Sequence, residues 1–145
     1  MQLSTDFVFN GKQSYPYSID DNVDPINIYG KSKVNAERNI LNYPGHLILR
    51  SSWIYSEFGN NFLKTILRLQ TNYLQNNQSL KVVVDQVGTP TSAYTLSKLC
   101  WIIVNSNKLD RSKTSIFHWS DLGVASWYDF AHAIGELSFK HGLID

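Results

Sequence analysis

The 145-residue sequence holds a single cysteine, Cys100, which excludes an intramolecular disulfide framework and a cysteine-built zinc site and fits a reducing cytoplasm. It has no charge excess either. Thirteen Lys and Arg against twelve Asp and Glu give a formal net charge of +1, and the basic residues are dispersed, so nothing marks nucleic acid or an anionic membrane surface as a partner. No apolar run approaches the roughly 18 residues of a membrane span, and the opening Met-Gln-Leu-Ser-Thr-Asp is not a signal peptide. Internal repeats and low-complexity tracts are absent, the polar stretch Gln75-Asn76-Asn77-Gln78-Ser79 reading as a surface loop. The eight glycines are never two or three residues apart. No Gly-x-Gly-x-x-Gly or Gly-x-x-Gly-x-x-Gly loop therefore exists to bring backbone against a pyrophosphate at a helix N-terminus.

What is present suits one ordinary globular domain: 43% hydrophobic and 13% aromatic residues suffice to close a core without staples. The pattern alternates. Phe7-Val8-Phe9 reads as the end of a strand running into the turn Asn10-Gly11. Residues 26–42 read as a helix closed by Tyr43-Pro44-Gly45. Leu47-Ile48-Leu49 is a continuous apolar run of the kind found in strands covered on both faces. A second helix begins near Asn61, with Phe62, Leu63, Ile66, Leu67 and Leu69 as its apolar stripe. Leu80 to Val84 reads as a short strand, residues 88–91 as a turn, residues 93–104 as a helix and residues 115–119 as a strand. Ser126 is an N-cap for a last helix, with Asp129 placed to complete a capping box. Strand and helix alternating in this way predict an α/β fold with a largely parallel sheet.

Chemistry is carried first by Tyr29 and Lys33, four residues apart and therefore on one face of a helix. A free phenol, with a pKa near 10, exchanges protons poorly at neutral pH. An ammonium beside it favours the phenolate and makes a general acid/base suited to a carbonyl oxygen. The same spacing recurs at Tyr94 and Lys98, but Tyr94 follows a Pro-Thr turn and shares its helix with Leu96, Leu99 and Trp101, so that pair reads as structural. Tyr29 instead comes after Ser4-Thr5-Asp6 at the end of a predicted strand, and strand C-termini are where open parallel sheets bind ligands. His46, His118, His132 and His141 have no ligand-like spacing and read as structural or solvated. Trp119 and Trp127 read as core or rim packing, and Cys100, among Leu99, Trp101, Ile102 and Ile103, as a buried inert thiol.

Six segments, residues 4–11, 24–33, 50–55, 59–62, 85–91 and 126–131, resemble in order those of the dTDP-4-dehydrorhamnose reductases of the extended short-chain dehydrogenase/reductase superfamily. Tyr-x-x-x-Lys marks only the superfamily; Ser52-Trp53-Ile54-Tyr55 and Asp85-Gln86-Val87-Gly88-Thr89-Pro90-Thr91 are particular to the reductase branch. The resemblance implies that Thr5 hydrogen-bonds the substrate ketone, Tyr29 donates the proton, and Lys33 favours the phenolate and holds a nicotinamide ribose. It makes Trp53 the aromatic wall for a deoxysugar, with Asp6, Phe7 and Asn61 around the sugar. It implies NADPH or NADH as hydride donor to C4 of dTDP-4-dehydro-L-rhamnose, leaving open the Mg2+ that some members use. Phe7, Asn10 and Ala36 stand where the family commonly has Tyr, Asp and Gly, away from the proton relay.

In that family the glycine loop lies upstream of the Ser-Thr-Asp strand, and the chain continues past the Trp-Tyr-x-Phe-Ala helix. The expectation is the C-terminal part of a Rossmann-like NAD(P)-binding fold plus a small α/β substrate-binding subdomain. Residues 1–78 would carry the Tyr-x-x-x-Lys pair and residues 79–145 mainly the sugar-nucleotide subdomain. A parallel strand without its neighbours exposes an apolar edge, so the isolated polypeptide is expected to be partner-dependent or aggregation-prone, and inactive as a reductase. The expected partners are a dTDP-linked deoxysugar and either a second copy or a complementing N-terminal segment. The alternatives are a non-catalytic regulatory subunit of the same fold, as in methionine adenosyltransferase, and a sugar-nucleotide epimerase or dehydratase. The relay favours an enzyme over the first, and the Ser52-Trp53 and 85–91 segments argue against the second.

Overall fold

A computed structural model describes residues 1–76, 78–106 and 110–144. They divide into two compact units that interleave along the chain: residues 1–52 with 96–120, and residues 53–95 with 121–145. The chain crosses between them after residues 52, 95 and 120.

The first unit is built on a parallel three-stranded sheet of order β1-β2-β6, formed by β1 (Gln2–Thr5), β2 (Leu47–Ser51) and β6 (Ser115–His118). Leu3, Leu49 and Phe117 share one row, and Ser4, Arg50 and His118 the next. Every residue of β2 is buried, as its apolar run predicts for a strand covered on both faces. One face packs Leu47 and Leu49 against Leu96, Leu99, Cys100 and Ile103 of α3 (Ala93–Asn105), so Cys100 lies half-buried in a core. α1 (Ile28–Leu41) packs against β1 and the short turn after it, where Val34 joins Val8 and Phe9. The helix begins at an Asn27 cap, whose side-chain oxygen accepts from the N–H of Gly30 at 2.7 Å.

Residues 7–9 do not end a strand. β1 stops at Thr5, and Asp6–Val8 form a single 3₁₀ turn. The cause is local: the Thr5 hydroxyl accepts from the N–H of Phe7 at 3.2 Å and so caps a turn in place of extending the ladder. The apolar run is explained by burial on the turn's inner side, with Val8 and Phe9 buried and Phe9 stacked on Tyr17 at 4.2 Å.

The second unit packs α2 (Phe62–Gln75) against α4 (Trp127–Lys140) through Ile66, Ala131 and Ile134. Short ladders complete it: β3 (Ile54–Tyr55) runs parallel to β5 (Thr91–Ser92), and β4 (Val87–Gly88) antiparallel to β7 (Ala125–Ser126). Ser126 and Asp129 form the expected capping box of α4. Residues 88–91 are thus the ends of two strands with Thr89-Pro90 between them. Residues 80–84 form no strand among the described residues. Leu80 and Val82 pack on the α2–α4 core, but Val83 gives its carbonyl to the N–H of Tyr128 at the start of α4, so a helix end takes the bond a ladder would need.

Candidate functional site

In the first unit, β1 and the first turns of α1 bring Thr5, Asp6, Phe7, Tyr29 and Lys33 into one neighbourhood. Thr5 is buried, and its hydroxyl donates to Asp6 Oδ1 at 2.9 Å while accepting from Phe7 N. Burial pushes the Asp6 carboxyl above its ordinary value, against the lowering effect of that hydroxyl and of nearby backbone N–H groups. Phe7 is 44% exposed and meets the Tyr29 ring edge to face at 6.0 Å. Tyr29 itself is 53% exposed, at the open end of α1. Lys33 Nζ lies 5.7 Å from the Tyr29 ring centroid and donates to the Leu3 carbonyl at 3.3 Å, so the cation is held beside the phenol by β1.

Below this pair lies a buried polar cluster that the sequence reading missed. Glu37, one turn beyond Lys33, is 2% exposed and receives a two-pronged contact from Arg50: Nε to Oε1 at 3.0 Å and Nη2 to Oε2 at 2.7 Å. The Ser4 hydroxyl donates to Glu37 Oε1 as well. Arg50 Nη1 reaches His118 Nε2 at 3.3 Å, and its guanidinium sits 5.2 Å from the centroid of the Phe9 ring. His118 Nδ1 lies 3.2 Å from the Tyr17 carbonyl. An arginine offers only donors, so Nε2 accepts and Nδ1–H donates to Tyr17, the neutral tautomer. Burial, and then the Arg50 charge, hold His118 below the ordinary histidine value. The available signal was a charged residue directly after Leu47-Ile48-Leu49, and an acid on the Tyr29–Lys33 face of α1.

Trp53 and Asn61 belong to the second unit. Trp53 stacks on Trp127 with centroids 3.5 Å apart and planes 5° from parallel, and Phe62 touches Trp127 at 4.4 Å. Trp53 adopts φ +46, a left-handed backbone that non-glycine residues rarely take. Gly88 lies against its indole, where a Cβ would approach Trp53 Cε2 to 2.4 Å. One indole face is therefore engaged with Trp127, a partner the sequence reading assigned to packing. Asn61 caps α2, accepting from Lys64 N at 3.2 Å, and donates from its amide to the carbonyls of Ser56 at 2.7 Å and Phe58 at 3.1 Å.

Among the described residues, no group of three or more His, Cys, Asp or Glu is arranged to hold a metal ion. No described helix is long and apolar enough to cross a membrane.

Comparison with known proteins gives a consistent picture. The chain is 43% identical over 139 residues to the spore coat polysaccharide biosynthesis protein SpsK of Bacillus subtilis, covering 95% of this chain and 46% of that protein. It is 43% identical over 136 residues to the dTDP-4-dehydrorhamnose reductase of Sinorhizobium fredii, covering 90% of this chain and 44% of the relative. In structure it superposes on the Bacillus anthracis dTDP-4-dehydrorhamnose reductase, solved in complex with NADP, with a TM-score of 0.83 and 33% identity over 95% of this chain and 47% of that one. The Clostridium acetobutylicum reductase gives a TM-score of 0.80 at 40% identity over 95% of this chain and 46% of that one. The chain thus spans about half the length of the curated relatives it matches. The model of the RmlD substrate-binding domain matches residues 1–141, and the chain belongs to that family.

Proposed function

We propose that this chain carries the proton-transfer and sugar-facing residues of a reductase that converts the C4 ketone of dTDP-4-dehydro-L-rhamnose to the alcohol of dTDP-L-rhamnose. The observation that carries the reading is the Tyr29–Lys33 pair on the first turns of α1, docked against β1 within two residues of the Thr5 hydroxyl. The names of the reductase relatives support the substrate. A nicotinamide cofactor, NADPH or NADH, supplies the hydride when bound. The half-exposed Tyr29 and the adjacent Lys33 ammonium fit its nicotinamide-ribose end, whereas the pyrophosphate cradle is assigned to a complementing segment with the glycine loop this chain lacks.

Tyr29 donates to the ketone oxygen, on which negative charge develops as the carbon is reduced, and Thr5 joins it by turning its one hydroxyl proton from Asp6 Oδ1 to that oxygen. Tyr29 delivers the proton to that oxygen. Lys33 stabilises the phenolate left behind, its ammonium lying 5.7 Å from the ring centroid while it donates to the Leu3 carbonyl. In the first unit Asp6 and Phe7 are assigned to the sugar by the reductase resemblance; in the second unit the same resemblance assigns Trp53, through its indole surface, and Asn61. No metal is assigned. The reaction belongs in the cytoplasm, as the lone Cys100 suits.

The test is nicotinamide oxidation on the 4-keto sugar nucleotide, by the chain together with a glycine-loop segment, wild type against Tyr29→Phe. Removing a positioned general acid should cost about 100-fold or more in kcat. Equal rates would overturn the proton donor. Tight sugar-nucleotide binding with no turnover in the wild type would make the chain a binding subunit.

A further inference from the structure

We infer that the buried Glu37–Arg50 pair, gripped by the Ser4 hydroxyl, is a positioning device that sets the register of the Tyr29–Lys33 helix against the strand carrying Thr5. The inference rests on the reductase reading for its kinetic consequence, but its geometry stands without it.

Tyr29, Lys33 and Glu37 are spaced four apart on α1, so they form one stripe along the helix. Each makes its own contact with the chain segment 3–7. Tyr29 meets the ring of Phe7, Lys33 donates to the Leu3 carbonyl, and Glu37 receives the Ser4 hydroxyl. Thr5, the proposed ketone contact, is the residue between Ser4 and this turn, and its neighbour Ser51 in β2 follows Arg50 directly. A slide or roll of α1 along β1 would break the Ser4 and Arg50 contacts to Glu37 together. Arg50 is fixed from its other side by His118 and by the Phe9 ring, so the carboxylate has a rigid partner.

Energetics argue for position over stability. Glu37 and Arg50 are 2% and 5% exposed, and removing two such charges from water costs about what their attraction returns. A well-packed apolar pair of similar volume often serves as well or better for stability. What an apolar pair lacks is direction: a forked guanidinium on a carboxylate accepts one geometry, whereas packed methyl groups tolerate sliding. A misplacement of about 1 Å between catalytic groups can cost about 100-fold in rate. Neither Glu37 nor Arg50 needs to touch substrate for this, so they are positioning residues.

The experiment compares the Glu37→Met single variant, the Glu37→Met/Arg50→Leu double variant and Ser4→Ala with wild type. The readouts are the thermal midpoint, the amide hydrogen exchange of residues 26–33 in the full chain, and kcat and KM in the assembly with the glycine-loop segment. The single variant strands a buried guanidinium and is expected to lose stability. The double variant is expected to regain the wild-type midpoint while its kcat stays about 10- to 100-fold low and KM moves less than about twofold. Its exchange over residues 26–33 should quicken severalfold. Full recovery of kcat with stability, or unchanged exchange in the stable double variant, overturns the inference. If the double variant does not fold, Ser4→Ala decides, since it removes one hydroxyl and leaves the ion pair: faster exchange over 26–33 supports the device and unchanged exchange overturns it. An inactive wild-type assembly would sink the reductase reading alone, leaving the exchange result to judge the clasp.

Discussion

Gly30 is pressed against the Phe7 carbonyl so closely that a Cβ on it would lie 2.2 Å from the oxygen, with Pro25 Cβ at 2.9 Å on another side. The backbone angle at Gly30 is helical, so the glycine is required by close approach and not by conformation. This contact lets the first turn of α1 sit directly on the turn after Thr5.

Gly30→Ala sets two effects against each other. Alanine favours the helix by about 1 kcal/mol, while overpacking against backbone that has no rotamer to yield costs about 1–3 kcal/mol or more. Overpacking wins, because the obstacle is a carbonyl of the adjoining turn. The urea midpoint of Gly30→Ala should fall by an amount corresponding to about 1–2 kcal/mol, with the slope unchanged. A midpoint at or above wild type would mean that the 3₁₀ turn moves freely.

The Trp53 backbone gives an unusual ordering of substitutions. Replacing an ordinary residue by glycine is worse than by alanine, since glycine gains more freedom in the unfolded chain. At φ +46 an alanine pays about 1–2 kcal/mol for the left-handed conformation, and glycine pays nothing. Both variants lose the stack on Trp127 and its near-ultraviolet circular dichroism. Trp53→Gly should nevertheless be more stable than Trp53→Ala by about 0.5–1 kcal/mol in chemical denaturation. The reverse order would show that residue 53 relaxes out of the left-handed region once the indole is gone.

Asn61 is expected to act on stability. Its oxygen caps α2 and its amide ties down the Ser56 and Phe58 carbonyls. Asn61→Ala loses all three bonds and should cost about 1–2 kcal/mol, at the upper end for an N-cap. Asn61→Asp keeps the acceptor at the positive end of the helix but loses both donations, so it should fall between. Thermal midpoints ranked wild type, Asp, Ala are the expected order; an Ala variant as stable as wild type would leave the loop held by other contacts.

The legible parts of the fold were those written in local pattern. The doubly covered strand at residues 47–49, the α2 stripe and the Ser126–Asp129 box follow from periodicity and short-range hydrogen bonding. The reading failed where a side chain overrode the pattern. Thr5 spends its hydroxyl on the Phe7 N–H, so an apolar triplet that looks like a strand becomes a turn. Val83 gives its carbonyl to a residue 45 positions away, so a valine-rich segment gains no ladder. At the candidate site, Tyr29 and Lys33 were visible because their spacing is local. Glu37, Arg50 and Ser4 come from three separate elements, and no spacing in the sequence announces that they meet.

The same cluster should make stability depend on pH with a definite sign. His118 is neutral in the folded protein, held below its ordinary value first by burial and then by the Arg50 charge. Unfolded, it titrates near 6.5. Below that pH the unfolded chain binds a proton that the folded chain refuses, so stability is lost as pH falls from about 6.5 toward the lowered folded value and is constant above. Asp6 works in the opposite direction and lower on the scale: its raised value means that the folded state holds a proton above 3.8, so its contribution declines as pH rises through that window. The two are separable because the histidine window starts near neutrality. Between pH 7.5 and 5.5 the wild-type thermal midpoint should fall more steeply than that of His118→Gln, which has no charge to gain and keeps an amide to meet Arg50 and Tyr17. Parallel profiles would mean that His118 takes up its proton as readily folded as unfolded, and that Arg50 does not hold Nε2 as an acceptor.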